Sequence, residues 1–92
     1  MEFVWDPKKA AANLKKHKVS FSEAASVFGD PLATVYHDPD HSISERRFLI
    51  LGSSSRGRLL HIAFADRQGL IRIIMARKVT RAERMAYEEE SR

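Results

Sequence analysis

Cysteine is absent, which excludes a disulfide framework and any thiolate metal site and accords with a reducing cytoplasm. Long apolar runs are missing too. No segment approaches the ~20 residues of a membrane span, and Met1-Glu2-Phe3 lacks the basic start of a signal peptide, so the expected location is cytoplasmic. There is no repeat, low-complexity tract or linker, and the 92 residues read as one domain, 1–92. A domain of this size buries only roughly 60–65% of its unfolded surface, too little to wall a deep small-molecule cavity.

Charge is what the chain has in excess, and it is unevenly placed. Residues 1–45 hold 5 Lys or Arg against 7 Asp or Glu, whereas residues 46–84 hold 10 against 2. A net of −2 followed by +8 is a polarised molecule whose basic half suits a polyanion such as nucleic acid. The densest signal is the apolar strand 70–76 running into Arg77, Lys78, Arg81 and Arg84.

The pattern predicts a short strand at Phe3-Val4-Trp5, then a helix capped by Asp6, opened by Pro7 and running to His17. Ser20-x-x-Glu23 is a capping box for a second helix, with Phe21, Ala24, Ala25 and Phe28 as its buried stripe and Gly29 as its stop. Strands are expected at 34–36, 46–51, 58–65 and 70–77, joined by connections short enough for an antiparallel meander. Thr80-x-x-Glu83 is another capping box, starting a terminal helix. The fold class is therefore α+β: a four-stranded antiparallel meander with an N-terminal strand, two N-terminal helices and a C-terminal helix.

Period-two alternation gives a register. With Ala65 opposite Leu70 and Gly52 opposite Arg58, the core face collects Phe48, Ile50, Leu60, Ile62, Phe64, Ile71, Ile73 and Met75. The other face then carries a row of Arg47, Ala63 and Arg72. Two arginine stems straddling a small residue, with Cα atoms roughly 10 Å apart, would form a notch for one phosphate. On the first helix Lys9, Asn13, Lys16 and His17 share one side, and Ala10, Leu14 and Val19 supply the apolar side. A helix C-terminus favours a cation, and histidine suits proton transfer near neutral pH, so His17 is a candidate general acid.

Trp5-Asp6, Lys9, Asn13, Lys16-His17, Val19, Phe21 and Ala24 resemble the BrnT family of bacterial toxins. So do Glu45-Arg46-Arg47, Gly52, Arg72-Ile73-Ile74, Ala76-Arg77, Thr80, Glu83-Arg84 and Tyr87, so that the likeness spans nearly the whole chain. The resemblance implies a RelE-like fold and an endoribonuclease toxin that inhibits translation. It also implies a BrnA-like ribbon-helix-helix antitoxin as partner, in a complex of two toxins and two antitoxins that represses its own operon, operator DNA being held through the antitoxin. Lys18 stands where glycine often follows Lys-His, which alters the exit of the first helix. Met75 stands where a small serine often precedes Ala76, on the core face of this register.

RNA cleavage without metal can use the neighbouring 2′-hydroxyl as nucleophile, leaving the protein to move protons and stabilise charge on the phosphate. In that reading Arg47, Arg72 and Arg77 bind the scissile and flanking phosphates, because arginine forks grip phosphate in a bidentate way, and His17 carries the proton. Lys9, Asn13, Lys16, Arg81 and Arg84 track the RNA. His61, on the open face near Arg72, is the rival proton carrier. No cofactor is implied. His37, Asp38, Asp40 and His41 have hard-ligand chemistry but compose an ordinary polar turn, so no metal site is assigned. Ser53-Ser54-Ser55 lacks the lysine and helix of a phosphate loop, and Trp5 reads as core. The alternative is a noncatalytic module that uses the same cations to bind RNA or an acidic protein surface.

Overall fold

A computed structural model describes residues 1–38 and 45–90. Asp40 and His41 of the polar turn lie outside the described residues. The elements are β1 (Glu2–Val4), α1 (Pro7–His17), α2 (Phe21–Ser26), a 3-10 turn (Val27–Gly29), β2 (Thr34–His37), β3 (Arg47–Ser53), β4 (Leu59–Arg67), β5 (Leu70–Lys78) and α3 (Arg81–Glu90). They form one five-stranded sheet in the order β1-β5-β4-β3-β2. Strands β2 to β5 pair antiparallel in chain order, and β1 lies parallel on the outer edge of β5. Among the described residues no helix is long and apolar enough to cross a membrane.

Local chemistry sets the helix ends. The Asp6 carboxylate accepts the Lys8 N–H at 2.9 Å, so α1 starts with Pro7 as its first residue. It ends at Lys18, which takes the left-handed conformation (φ 60°, ψ 31°) and donates its N–H to the Leu14 carbonyl. Glycine adopts that geometry freely, whereas Lys18 holds it at a cost. Ser20 caps α2 through the Glu23 N–H at 3.0 Å, but only half of the expected box forms. The Glu23 side chain turns instead to Ser54 Oγ (2.7 Å) and to the Arg58 guanidinium, whose Nε donates at 2.9 Å. Arg58 also donates to the Lys18 carbonyl at 3.0 Å, tying the β3–β4 loop to the end of α1. Thr80 and Glu83 close the full reciprocal box at α3.

One face of the sheet carries the core. Ile50, Leu60, Ile62, Phe64, Ile71, Ile73 and Ala76 pack under Val19, Phe21, Ala24 and Val27, with Phe3, Trp5, Ala10, Phe28 and Phe48 at the margin. Trp5 meets Phe21 edge to face, as its reading as core requires. The expected apolar side of α1 is corrected, however. Leu14 is 49% exposed, and the helix turns Ala10 and Asn13 inward.

Strand pairing also corrects the register. Ala65 pairs with Arg72 rather than Leu70, and Gly52 pairs with Leu60 rather than Arg58, so β4 is displaced by two residues against both neighbours. The cause is the turn. Gln68 (φ 54°) and Gly69 (φ 90°) both adopt left-handed backbone and close a two-residue hairpin between Arg67 and Leu70, where a four-residue connection was expected. Farther along, the β4–β5 register shifts again between Ala63 and Phe64, leaving Ile74 as the extra residue of a bulge. The bulge reverses the alternation on β5. Ala76 is fully buried in the core, and Met75 pairs with Ala63 on the opposite face, contrary to the expected core position of Met75.

Candidate functional site

The face of the sheet opposite the core holds the cations. The expected notch is present with a different centre: Arg47, Ala65 and Arg72 form the row, not Arg47, Ala63 and Arg72. A displacement of two residues preserves which face a side chain occupies, so both arginines stay in line while the residue between them changes. Glu45 completes the group. Its Oε1 accepts from Arg47 Nε at 3.1 Å and also from the Arg72 guanidinium, while Arg67 stands 3.9 Å from Oε2. The depression there has a volume of about 150 Å³ and is lined by Val4, Glu45, Ala65, Arg67, Leu70 and Arg72. That is below the ~300 Å³ of ordinary small-molecule sites and has room for a single group. The hydrogen bond from Arg47, reinforced by Arg72 and Arg67 against partial desolvation, holds the Glu45 carboxyl below the usual carboxylate range. Glu45 had no assigned role in the sequence. Its signal was its place in Glu45-Arg46-Arg47.

A second cluster occupies the same face roughly 13 Å away, four residues along β4. His61 pairs with Arg77 across the ladder, and Glu83 of α3 reaches both. Arg77 grips Glu83 through two bonds of 2.9 Å, and its guanidinium lies 2.7 Å from His61 Nδ1, which is itself 2.9 Å from Glu83 Oε2. Hydrogen bonds from Arg77, in spite of burial, lower the Glu83 pKa to about 2. Burial and the positive charge of Arg77 push His61 the other way from a typical ion-paired histidine, below its ordinary 6.5, with Glu83 opposing. The neutral form of the imidazole is accordingly favoured. Nδ1 lies against both the Arg77 guanidinium and Glu83 Oε2, so Nε2 is the ring nitrogen with no described contact.

The α1 candidates are arranged otherwise. Asn13 is 7% exposed and fully engaged: its amide donates to the carbonyls of Val19 (2.9 Å) and Ala76 (2.8 Å) and accepts the Ala76 N–H at 3.1 Å. It completes the edge of β5 beyond the reach of β1, which removes it from the surface contacts expected of it. Lys9 and Lys16 are exposed and His17 half-buried, with no described contact joining His17 to Arg47, Arg72 or Arg77. Arg81 and Arg84 are exposed on the first turn of α3, and Arg84 shares a hollow with Arg58 and Lys78. His37 stacks edgewise on Phe48, 5.5 Å between ring centroids.

A missed anchor is Asp30, which the sequence pattern left without a role. It accepts from Leu32 N (2.9 Å), Ser53 N (2.7 Å) and the Tyr87 hydroxyl (3.0 Å), fixing α3 to the sheet. Burial would raise its pKa, but these three hydrogen bonds outweigh burial and lower it. Gly52 permits the approach, since a Cβ there would stand 2.8 Å from that of Ala33 and 3.0 Å from Asp30 Oδ2.

The model of the ribonuclease toxin BrnT of type II toxin–antitoxin systems matches residues 5–83. The chain belongs to the BrnT family. It is thus a ribonuclease toxin of a type II toxin–antitoxin system by family. The crystal structure of the Brucella abortus ribonuclease toxin BrnT superposes with a TM-score of 0.67 at 18% identity, covering 88% of this chain and 99% of that one. At that identity the likeness speaks for the fold, an α+β arrangement of a five-stranded, mostly antiparallel sheet with three helices. A search of curated protein sequences gives no match.

Proposed function

We propose that this BrnT-family chain is a cytoplasmic, metal-independent endoribonuclease with a RelE-like mode of action, in which the open face of the sheet binds and cuts RNA. One observation carries the reading: Arg47, Arg72, Arg77 and His61 share that face, with an imidazole directly beside a guanidinium. Neutral His61 takes the proton of the 2′-hydroxyl. The 2′-oxygen bonds to phosphorus as the bond to the 5′-oxygen breaks, and the departing oxygen takes a proton from water while the His61 imidazolium releases its own to solvent, leaving a 2′,3′-cyclic phosphate and a 5′-hydroxyl. Arg77 stabilises the charge on the phosphate, and Arg47 with Arg72 holds a neighbouring phosphate of the strand. Lys9, Lys16, Arg81 and Arg84 extend the track, and His17 is the alternative proton carrier.

An exposed cationic face on a toxin calls for a cover of opposite charge. A BrnA-like ribbon-helix-helix antitoxin supplies it in this reading, as a complex of two toxins and two antitoxins that binds operator DNA through the antitoxin and blocks cleavage. Free toxin inhibits translation by cutting RNA.

The deciding experiment incubates the purified chain with bulk RNA in excess EDTA. Cleavage to 2′,3′-cyclic phosphate ends, weakened in Arg72→Ala and Arg77→Ala, is expected. RNA that stays intact at stoichiometric protein overturns the reading and leaves a noncatalytic binding module.

A further inference from the structure

We propose that Glu45 is a displaceable occupant of a phosphodiester site formed by Arg47 and Arg72, and that RNA enters by exchanging one backbone phosphate for the Glu45 carboxylate. The inference rests on the phosphate reading of these two arginines and adds to it a competitor within the chain.

The geometry is that of an anion site already holding an anion. The arginines start from β3 and β5, roughly 10 Å apart across Ala65, and still close on the same oxygen of Glu45. Each gives that oxygen a single described bond, Arg47 from Nε and Arg72 from a terminal nitrogen. A guanidinium binds best through two parallel N–H groups to two oxygens. The two nonbridging oxygens of a phosphodiester meet that demand from both sides, and one oxygen of Glu45 does not.

Charge and exposure favour the exchange. Three cations, Arg47, Arg67 and Arg72, surround one carboxylate, so the group is net +2 with Glu45 in place and still attracts an anion. The Arg72 side chain is 44% exposed, and ion pairs of that kind are weakly held. Glu45 nevertheless sits two residues from Arg47 in the chain, which gives it a high effective concentration at the notch. A lone phosphate ion competes poorly against it. A strand that also engages Arg77, Lys9 or Arg84 has the additional contacts needed to displace it, so Glu45 selects polyanions over small anions.

The test is binding of a fluorescein-labelled 2′-O-methyl RNA oligonucleotide, which cannot be cut, to the full chain by anisotropy. Glu45→Ala is expected to bind roughly three- to tenfold tighter than wild type, the scale of one weak ion pair. The gain should exceed that of Glu89→Gln, which changes net charge equally on α3, and should vanish when Arg72→Ala is added. Inorganic phosphate at millimolar concentration should compete with the oligonucleotide on Glu45→Ala and not on wild type. No gain over Glu89→Gln, a gain that survives Arg72→Ala, or a gain for an acidic peptide but not for RNA overturns the proposal. Should Glu45→Ala fail to fold, Glu45→Gln carries the same expectation at smaller size, and no gain there overturns it equally. Because the probe cannot be cut, the two readings separate: tighter binding without cleavage of natural RNA removes the ribonuclease reading alone, and cleavage without tighter binding removes the Glu45 exchange alone.

Discussion

Asn13 and Ala76, 63 residues apart, are joined by two hydrogen bonds in which a side-chain amide completes both backbone groups of a strand edge. Pairing with β1 ends at Arg72, so β5 beyond that point presents bare N–H and C=O groups that this amide closes. Asn13→Ala should cost about 3 kcal/mol, because it leaves buried backbone groups without partners. Urea unfolding measures this. A change under about 0.5 kcal/mol would return Asn13 to the set of surface contacts, as that is the range of an ordinary exposed substitution.

Acid should weaken the fold in two steps. The folded pKa of His61 is depressed, so as pH falls through 6.5 the unfolded chain takes up a proton that the folded chain refuses, and stability drops. Glu83, depressed to about 2, contributes stability that is complete above its unfolded 4.5 and is lost as pH falls toward 2. That second loss is of order 2 kcal/mol after screening. Thermal melts from pH 8 to 3 check the sign, and in Glu83→Gln the step below pH 4.5 should shrink. Stability that rises on acidification would contradict both shifts.

Lys18→Gly should stabilise. Relief of the left-handed strain is worth ~1–2 kcal/mol and the extra freedom of unfolded glycine removes part of it, for a net gain of about 0.5–1 kcal/mol. In a domain of this size Tm rises by roughly 2–6 °C. The bond from Arg58 to residue 18 uses the backbone carbonyl and survives. A fall in Tm would mean that the Lys18 side chain has a role of its own.

How far these features could be read from the chain depended on whether they are local. Asp6-Pro7, Ser20 and Thr80-x-x-Glu83 act within four residues, and they mark the helix starts correctly. Strand parity was equally legible up to the bulge on β5, which is why Arg47 and Arg72 fell in one row although β4 was misplaced by two residues. Register was not, because it depends on left-handed backbone at Gln68 and on a bulge at Ile74, and neither residue type announces those conformations. The polar stripe of α1 was ambiguous for another reason. An asparagine serves a wet face or a strand edge equally well, and only the position of β5 distinguishes them. Glu45 and Asp30 were invisible as anchors because the partners that tie them across the fold, Arg72 for Glu45 and Ser53 and Tyr87 for Asp30, lie 23 to 57 residues away.

The two histidines give the sharpest test of the site. His61 lies on the open face beside Arg77, whereas no described contact brings His17 to the arginines. His61→Asn should therefore slow RNA cleavage by roughly two to four orders of magnitude, the usual share of a general base, with little change in affinity for uncleavable RNA. His17→Ala should remain within a few fold of wild type. The pH profile adds a readout that a purely structural role would leave unmoved. Burial and Arg77 favour the neutral imidazole, so the acid limb of the rate should lie below 6.5 in wild type and be missing in His61→Asn. Glu83→Gln removes the negative charge that opposes this shift, and should move the acid limb lower still while the chain stays folded. If His17→Ala loses two orders of magnitude and His61→Asn only a few fold, proton transfer belongs to α1, and the cluster of His61, Arg77 and Glu83 is left with the structural role of holding α3 to the sheet.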